Sequence, residues 1–216
     1  MKTAIQIVLW LLSFFFAYMI YKSVREPIEF KKVKQERYAA VIAKLKDIRD
    51  AQEAYRNVTG KFANDFESLV RFVDTADFTI TQQRDSSYME FDNVYKIDML
   101  REVKIIDTLG FVPVKDSLFK NSDRYKTLMN VPFAANNEKF EMKANILDKE
   151  GYKAAVFEAK VAKDVVLYDQ PQNLRKQENE MVSVDEVNGP FIIVGSLSEV
   201  STNGNWPTIY DAKKNR

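Results

Sequence analysis

The chain opens on an unbroken apolar run. From Thr3 to Tyr21 it carries no charge, and only Thr3, Gln6 and Ser13 are clearly polar. A helix of about 20 residues at 1.5 Å each crosses the roughly 30 Å hydrocarbon layer of a bilayer. Trp10, Tyr18 and Tyr21 are amphipathic, and the two tyrosines near the far end suit a membrane interface. A cleaved signal peptide would need a basic start and a small-residue cleavage site. Here only Met1 and Lys2 precede the run, and Tyr21-Lys22-Ser23-Val24-Arg25 follows it. The pattern therefore predicts an uncleaved transmembrane anchor over residues 1–22.

Pro27 follows, and proline tends to stop or kink a helix at the residue before it. Tyr38, Val41, Ile42, Leu45, Ile48, Ala51 and Tyr55 then recur every three or four residues, the period of an amphipathic helix. The other face carries Lys44, Lys46, Asp47, Arg49, Asp50 and Glu53, charges expected to be solvated. Gly60 suits the left-handed position past the helix end. These features predict a stalk helix over 23–60. A second, short helix is predicted from Asn64, which has capping-box spacing to Glu67, with Phe66, Leu69, Val70 and Val73 as its inner stripe.

Past Asp74 the pattern changes to short strands and loops. Phe78–Thr81 reads as a strand, and Val103–Ile106 and Val112–Val114 read as strands around a Leu109-Gly110 turn. Pro113 would place the second of these at an edge. The clearest hairpin is Phe140–Leu147 against Tyr152–Val161, with Asp148–Gly151 as a four-residue loop. Val165–Tyr168 and Phe191–Leu197 read as strands, with Asn188-Gly189-Pro190 as the turn before the last. Gln170–Glu180 is either a short helix or a loop. The predicted fold class is α+β. A transmembrane helix continues into an amphipathic stalk, and residues 61–216 form a head of antiparallel sheet and short helices.

Composition narrows the chemistry. The 216 residues include no His and no Cys. That excludes Ser-His-Asp catalysis, cysteine nucleophiles, His/Cys zinc sites and disulfides. The net charge is +1, without the basic excess of a nucleic-acid binder. There is no GxGxxG or GxxxxGK[ST] phosphate loop and no calcium-loop pattern. The carboxylates Asp98, Glu102, Asp107, Asp164 and Asp169 lie among Lys and apolar residues at strand-like spacing, as surface charges do. No catalytic residue, cofactor or metal is expected.

The order of elements resembles the type IV pilin superfamily, most closely the major pseudopilins of type II secretion. The residues that carry it are Pro27, the segment Ala51-Gln52-Glu53-Ala54-Tyr55-Arg56-Asn57-Val58-Thr59-Gly60-Lys61-Phe62, and Phe66–Val70. It covers roughly residues 6–73. Thr202–Trp206 is similar to the Gly-rich, Trp-bearing tail of major pseudopilins, without its calcium-binding acids. The resemblance implies a long helix running from the membrane into a globular head, within a protein assembly. Two departures qualify it: no Gly-ending leader can be drawn in Met1–Ile5, and the family's helix-start glutamate falls on Trp10. The expectation is a pilin-like subunit that does not polymerise through a processed N-terminus.

Lys22, Arg25, Lys31, Lys32 and Lys34 after the span would, by the positive-inside rule, hold the head in the cytoplasm. The resemblance points the other way. So do the tripeptides Asp74-Thr75-Ala76, Asp107-Thr108-Leu109 and Asp116-Ser117-Leu118, which are similar to O-glycosylation acceptors of exported proteins in Bacteroidota. Asn57-Val58-Thr59 is a formal N-glycosylation sequon at a helix end. The sequence thus points to a non-enzymatic, single-pass protein of a bacterial inner membrane, with a periplasmic head, acting by protein contact in a secretion or pilus-like machine. Its expected partners are the lipid bilayer and other envelope-assembly proteins, with self-association open and no nucleic acid. The expected interaction surface is Trp10, Phe15, Tyr38, Val41, Leu45, Ile48 and Tyr55. The alternative is an anchored module whose head binds a ligand or glycan.

Overall fold

The computed structural model describes residues 2–92, 94–120, 122–149 and 151–211. Anchor and stalk form one helix, α1 (Lys2–Thr59), about 87 Å long at 1.5 Å per residue. The stop expected at Pro27 does not occur. Proline there removes one hydrogen bond, but the pairs Lys22–Glu26 and Arg25–Glu29 bridge successive turns on either side. Helix on both flanks is long enough to carry through a single missing bond. Gly60 ends α1 at φ +78°, its N–H bonded to the Arg56 carbonyl.

Helix α2 (Phe66–Thr75) is capped one residue later than expected. Asp65, not Asn64, accepts from the Ser68 N–H at 2.7 Å. Asn64 instead accepts from the Ala144 N–H, tying the start of α2 to the three-stranded sheet described below. Leu69, Phe72 and Val73 are buried against α1.

Two separate antiparallel sheets follow. The first is a ribbon of two long strands, β1 (Asp77–Asp92) and β2 (Ile97–Pro113). The expected Leu109-Gly110 turn is instead a bulge: Ile80 pairs with Gly110 and Thr81 with Thr108, leaving Leu109 unpaired. After α3 (Val114–Phe119) comes the second sheet, of β3 (Glu141–Lys149), β4 (Tyr152–Ala162) and β5 (Phe191–Gly195), with β4 in the centre. Lys149 pairs with Tyr152, so the loop is two residues long rather than four. Between β4 and β5 lie α4 (Lys163–Val166) and α5 (Gln172–Asn179). The strand expected at Val165–Tyr168 is replaced by the turn of α4. Val166 and Leu167 are both buried there, and the Leu167 N–H closes the turn on the Lys163 carbonyl at 2.9 Å.

The core lies between one face of α1 and the inner face of the second sheet. Tyr38, Val41, Leu45 and Ile48 meet a wall that includes Phe157, Val161 and Ile192. Gln52, fully buried, exchanges two 2.8 Å hydrogen bonds with the backbone of Ala63 and pins the loop after α1. Gly195, at φ +78°, lies so close to β4 that an added Cβ would sit 2.2 Å from the Phe157 carbonyl oxygen.

Candidate functional site

Three apolar surfaces were candidates for contact with other molecules, and the fold treats each differently. The first is the start of α1. Trp10 (66% exposed) and Phe15 (56%) project from a bare helix on which no described side chain is buried through Ser23. It is one helix near the N-terminus, long and apolar enough to cross a membrane.

The second is the stalk stripe, and here the expectation is corrected. Tyr38, Val41, Leu45 and Ile48 are fully buried under the chain's own head, so they are not open to another chain. Tyr55 is half-buried and stacks edge-on against Phe72 at 4.9 Å. The opposite face is not simply solvated either. Lys44 donates to the carbonyls of Thr127 and Asn130, Lys46 pairs with Asp211 at 2.8 Å, and Asp47 pairs with Arg124 at 3.0 Å. The head grips the stalk from both sides.

A buried ionic cluster fixes where that grip begins. Glu178 of α5 is almost fully buried and accepts from Lys34 (2.9 Å), Lys163 (3.0 Å) and the Tyr38 hydroxyl (3.3 Å). Lys163 spends its other donors on the carbonyls of Glu178 and Val187, and Lys34 also reaches Glu186 at 2.8 Å. The two lysines shift in opposite directions. Burial works against the charge of Lys34, but its bonds to Glu186 and Glu178 outweigh it and raise its pKa. Burial dominates at Lys163, which shares one carboxylate and otherwise meets neutral carbonyls, and lowers its pKa. Burial first, and then the Glu178 carboxylate, holds the Tyr38 phenol protonated.

Beside this cluster Arg37 forks onto Asp169 through bonds of 2.6 and 2.8 Å. The Arg37 guanidinium pulls the Asp169 carboxyl down to about 2. Its stabilising share is complete above the unfolded value of about 3.9 and is lost as pH falls through about 2. Asp169 is 41% exposed, so solvent screens the pair and the effect is small. The gap in unfolding midpoint between the native chain and Asp169→Asn is expected to be flat from pH 7 to 5 and to close towards about pH 2. A gap that persists unchanged at pH 2 contradicts this role.

The carboxylates do not converge. Asp107 pairs with Arg84, Asp164 binds Arg175 and Asn179, and Asp98 and Glu102 stand exposed on β2. Among the described residues no cluster of three acidic side chains is set to hold a metal. Phe133 and Tyr168 are exposed aromatics, but they flank Arg37, already held by Asp169.

The third surface is the β1–β2 ribbon, which sequence reading reduced to fragments. Sixteen paired positions at about 3.3 Å per residue make an arm roughly 50 Å long. Its root abuts α2 and α3, and not one described residue of either strand is buried. Directly paired residues share a face. One face carries Tyr88, Met99, Ile97 and Val103, and the other carries Met89, Leu100, Phe91 and Ile106. At the tip Asp92 caps the turn by accepting from the N–H groups of Val94 and Tyr95, which are 82% and 70% exposed.

No family model, curated protein or solved structure matches this chain. Its function is therefore read from its own geometry, and the arm is the part of that geometry without an internal purpose. A two-stranded ribbon is marginal in water by itself, and monomeric proteins rarely leave contiguous apolar surface of this extent uncovered.

Proposed function

We propose that this chain is a non-enzymatic, membrane-anchored assembly subunit that acts by protein contact through its β arm. The carrying observation is that both faces of the 16-pair ribbon expose large apolar side chains and none of its described residues is buried, while α1, α2 and the second sheet contribute to one core. The long helix supplies the anchor, and the ionic cluster around Glu178 sets the head at a fixed height along it. The setting we propose is a bacterial inner membrane with the head on the periplasmic side, inside a secretion or pilus-like machine. The resemblance of residues 6–73 to pseudopilins supports it. So does the exposure of Thr75, Thr108 and Ser117, the hydroxyls of the three acceptor-like tripeptides.

The test is photo-crosslinking of the full-length chain in membranes, with the reactive group at Leu100 or Ile106 on the arm and at Gln177 on α5 as control. Leu100, Ile106 and Gln177 are all exposed. Discrete higher-mass adducts are expected from the two arm positions and none from Gln177. Equal labelling at all three positions overturns the proposal.

A further inference from the structure

We infer that the partner of the arm is a second copy of this chain, whose arm tip seats in a groove at the root of the first copy's arm. The inference rests on the proposed role of the arm and names its occupant.

The groove, of about 570 Å³, lies between α2 and the 3-10 turn at Asp123–Thr127. Its floor is Phe66, Val70, Tyr125 and Met129, and its rim carries the cations Arg71, Lys126 and Lys139. Its acids are already occupied. Glu67 pairs with Arg71 at 3.0 Å, and Asp74 accepts from the Tyr125 hydroxyl at 2.6 Å. Lys126 pairs with Asp123, whereas Lys139 makes no ion pair among the described residues. The site is thus an apolar slot, in the size range of pockets that bury a few side chains, whose rim holds Lys139 as its one cation without an ion-pair partner among the described residues.

The arm tip is its complement. Phe91, Val94, Tyr95 and Ile97 are exposed apolar groups, and the charges among them are Asp92, Asp98 and Lys96. Residues 77–113 carry seven carboxylates against four cations, and Arg84 and Arg101 are already paired within the ribbon. A tip of net charge −1 with an aromatic centre meets an apolar floor beside Lys139, unpaired among the described residues.

Distance excludes the tip's own groove. Asp74 lies three residues before the first residue of β1, so the groove sits at the root of the arm. The tip stands roughly 50 Å away along two paired strands. Only another molecule's tip reaches it. Reciprocal seating lays two arms side by side in opposite directions, each tip at the other's root, a two-fold contact. A ribbon roughly 50 Å by 10 Å offers about 500 Å² per face. Stacking two faces removes roughly 1,000 Å², and the seated tips carry the total into the range of specific interfaces.

Because the chain has no cysteine, disulfide trapping reads this contact without background. Full-length chains carrying Tyr95→Cys are co-expressed in membranes with differently tagged chains carrying Met129→Cys, or Val70→Cys as a second groove position, and oxidised. The expected result is a mixed-tag dimer at least about tenfold above the pair Tyr95→Cys with Gln177→Cys. Asp98→Lys should lower the yield about tenfold, as like charges at a contact do, and Lys139→Glu on the groove chain should restore it. Trapping no greater than the Gln177 control at both groove positions overturns the inference. If arm adducts from Leu100 and Ile106 persist in that case, the arm binds a different protein and the proposed function stands. If those adducts are absent too, both fail.

Discussion

Replacing Glu178 with leucine is expected to lower the unfolding midpoint of the head by about 10 °C. The carboxylate is almost fully buried and is the shared acceptor of Lys34, Lys163 and Tyr38. Glu178→Leu leaves Lys163 charged in the interior with only the carbonyls of residues 178 and 187, and leaves Lys34 with Glu186 alone. Breaking a buried ion pair from one side costs about 3–5 kcal/mol, and each kcal/mol moves the midpoint of a 150–250-residue protein by about 2–4 °C. The triple variant Lys34→Met, Lys163→Met, Glu178→Leu removes all three buried charges together and is expected to regain most of the loss, because apolar groups of similar volume replace buried ion networks at little cost. Thermal unfolding of the detergent-solubilised full chain measures both. A drop below about 2 °C for the single variant shows that the cluster does not hold head to stalk.

Leu45→Asp is expected to abolish the folded head. Leu45 is wholly buried between α1 and the second sheet, where Leu→Ala alone costs about 2–5 kcal/mol. A carboxylate adds desolvation on top, or takes up a proton to avoid it. Since total stability is about 5–15 kcal/mol, the sum is enough to unfold a domain of this size. Limited proteolysis should therefore cut the head throughout while sparing the bilayer-embedded part of α1. Lys46→Asp, one residue on, loses the bonds to Asp211 and to the Tyr210 carbonyl and sets two carboxylates against each other. Both partners are partly exposed, so a change of about 1 kcal/mol and loosening of the C-terminal segment are expected. Equal damage from the two substitutions would refute the register of α1.

The register of α1 was legible because one face of that helix is buried from Phe30 to Ala54, and burial of a face writes a period of 3.6 into the sequence. The same logic made the β3–β4 hairpin readable, since Val156, Phe157, Ala159 and Val161 carry the imprint of a core. The β1–β2 arm escaped for the converse reason. Gln82–Ser87 is polar, and with no face of the arm buried nothing imposes alternation on it. The length of the ribbon follows from cross-strand pairing, which short windows of sequence do not contain.

What the sequence by itself determined is the apolar span, the face of α1 that turns inward, the stop at Gly60 and the α+β class. Each follows from side-chain type at short spacing. What covers that face was decided only by the tertiary structure. The same stripe of Tyr38, Val41, Leu45 and Ile48 serves equally for another chain or for the chain's own head, because apolar burial is non-directional. The cluster of Lys34, Lys163 and Glu178 likewise joins residues up to 144 positions apart, and the groove at Val70 and Met129 exists only where α2 meets a distant turn. Local chemistry selects the elements, whereas the free energy of bringing distant ones together selects which surfaces remain open.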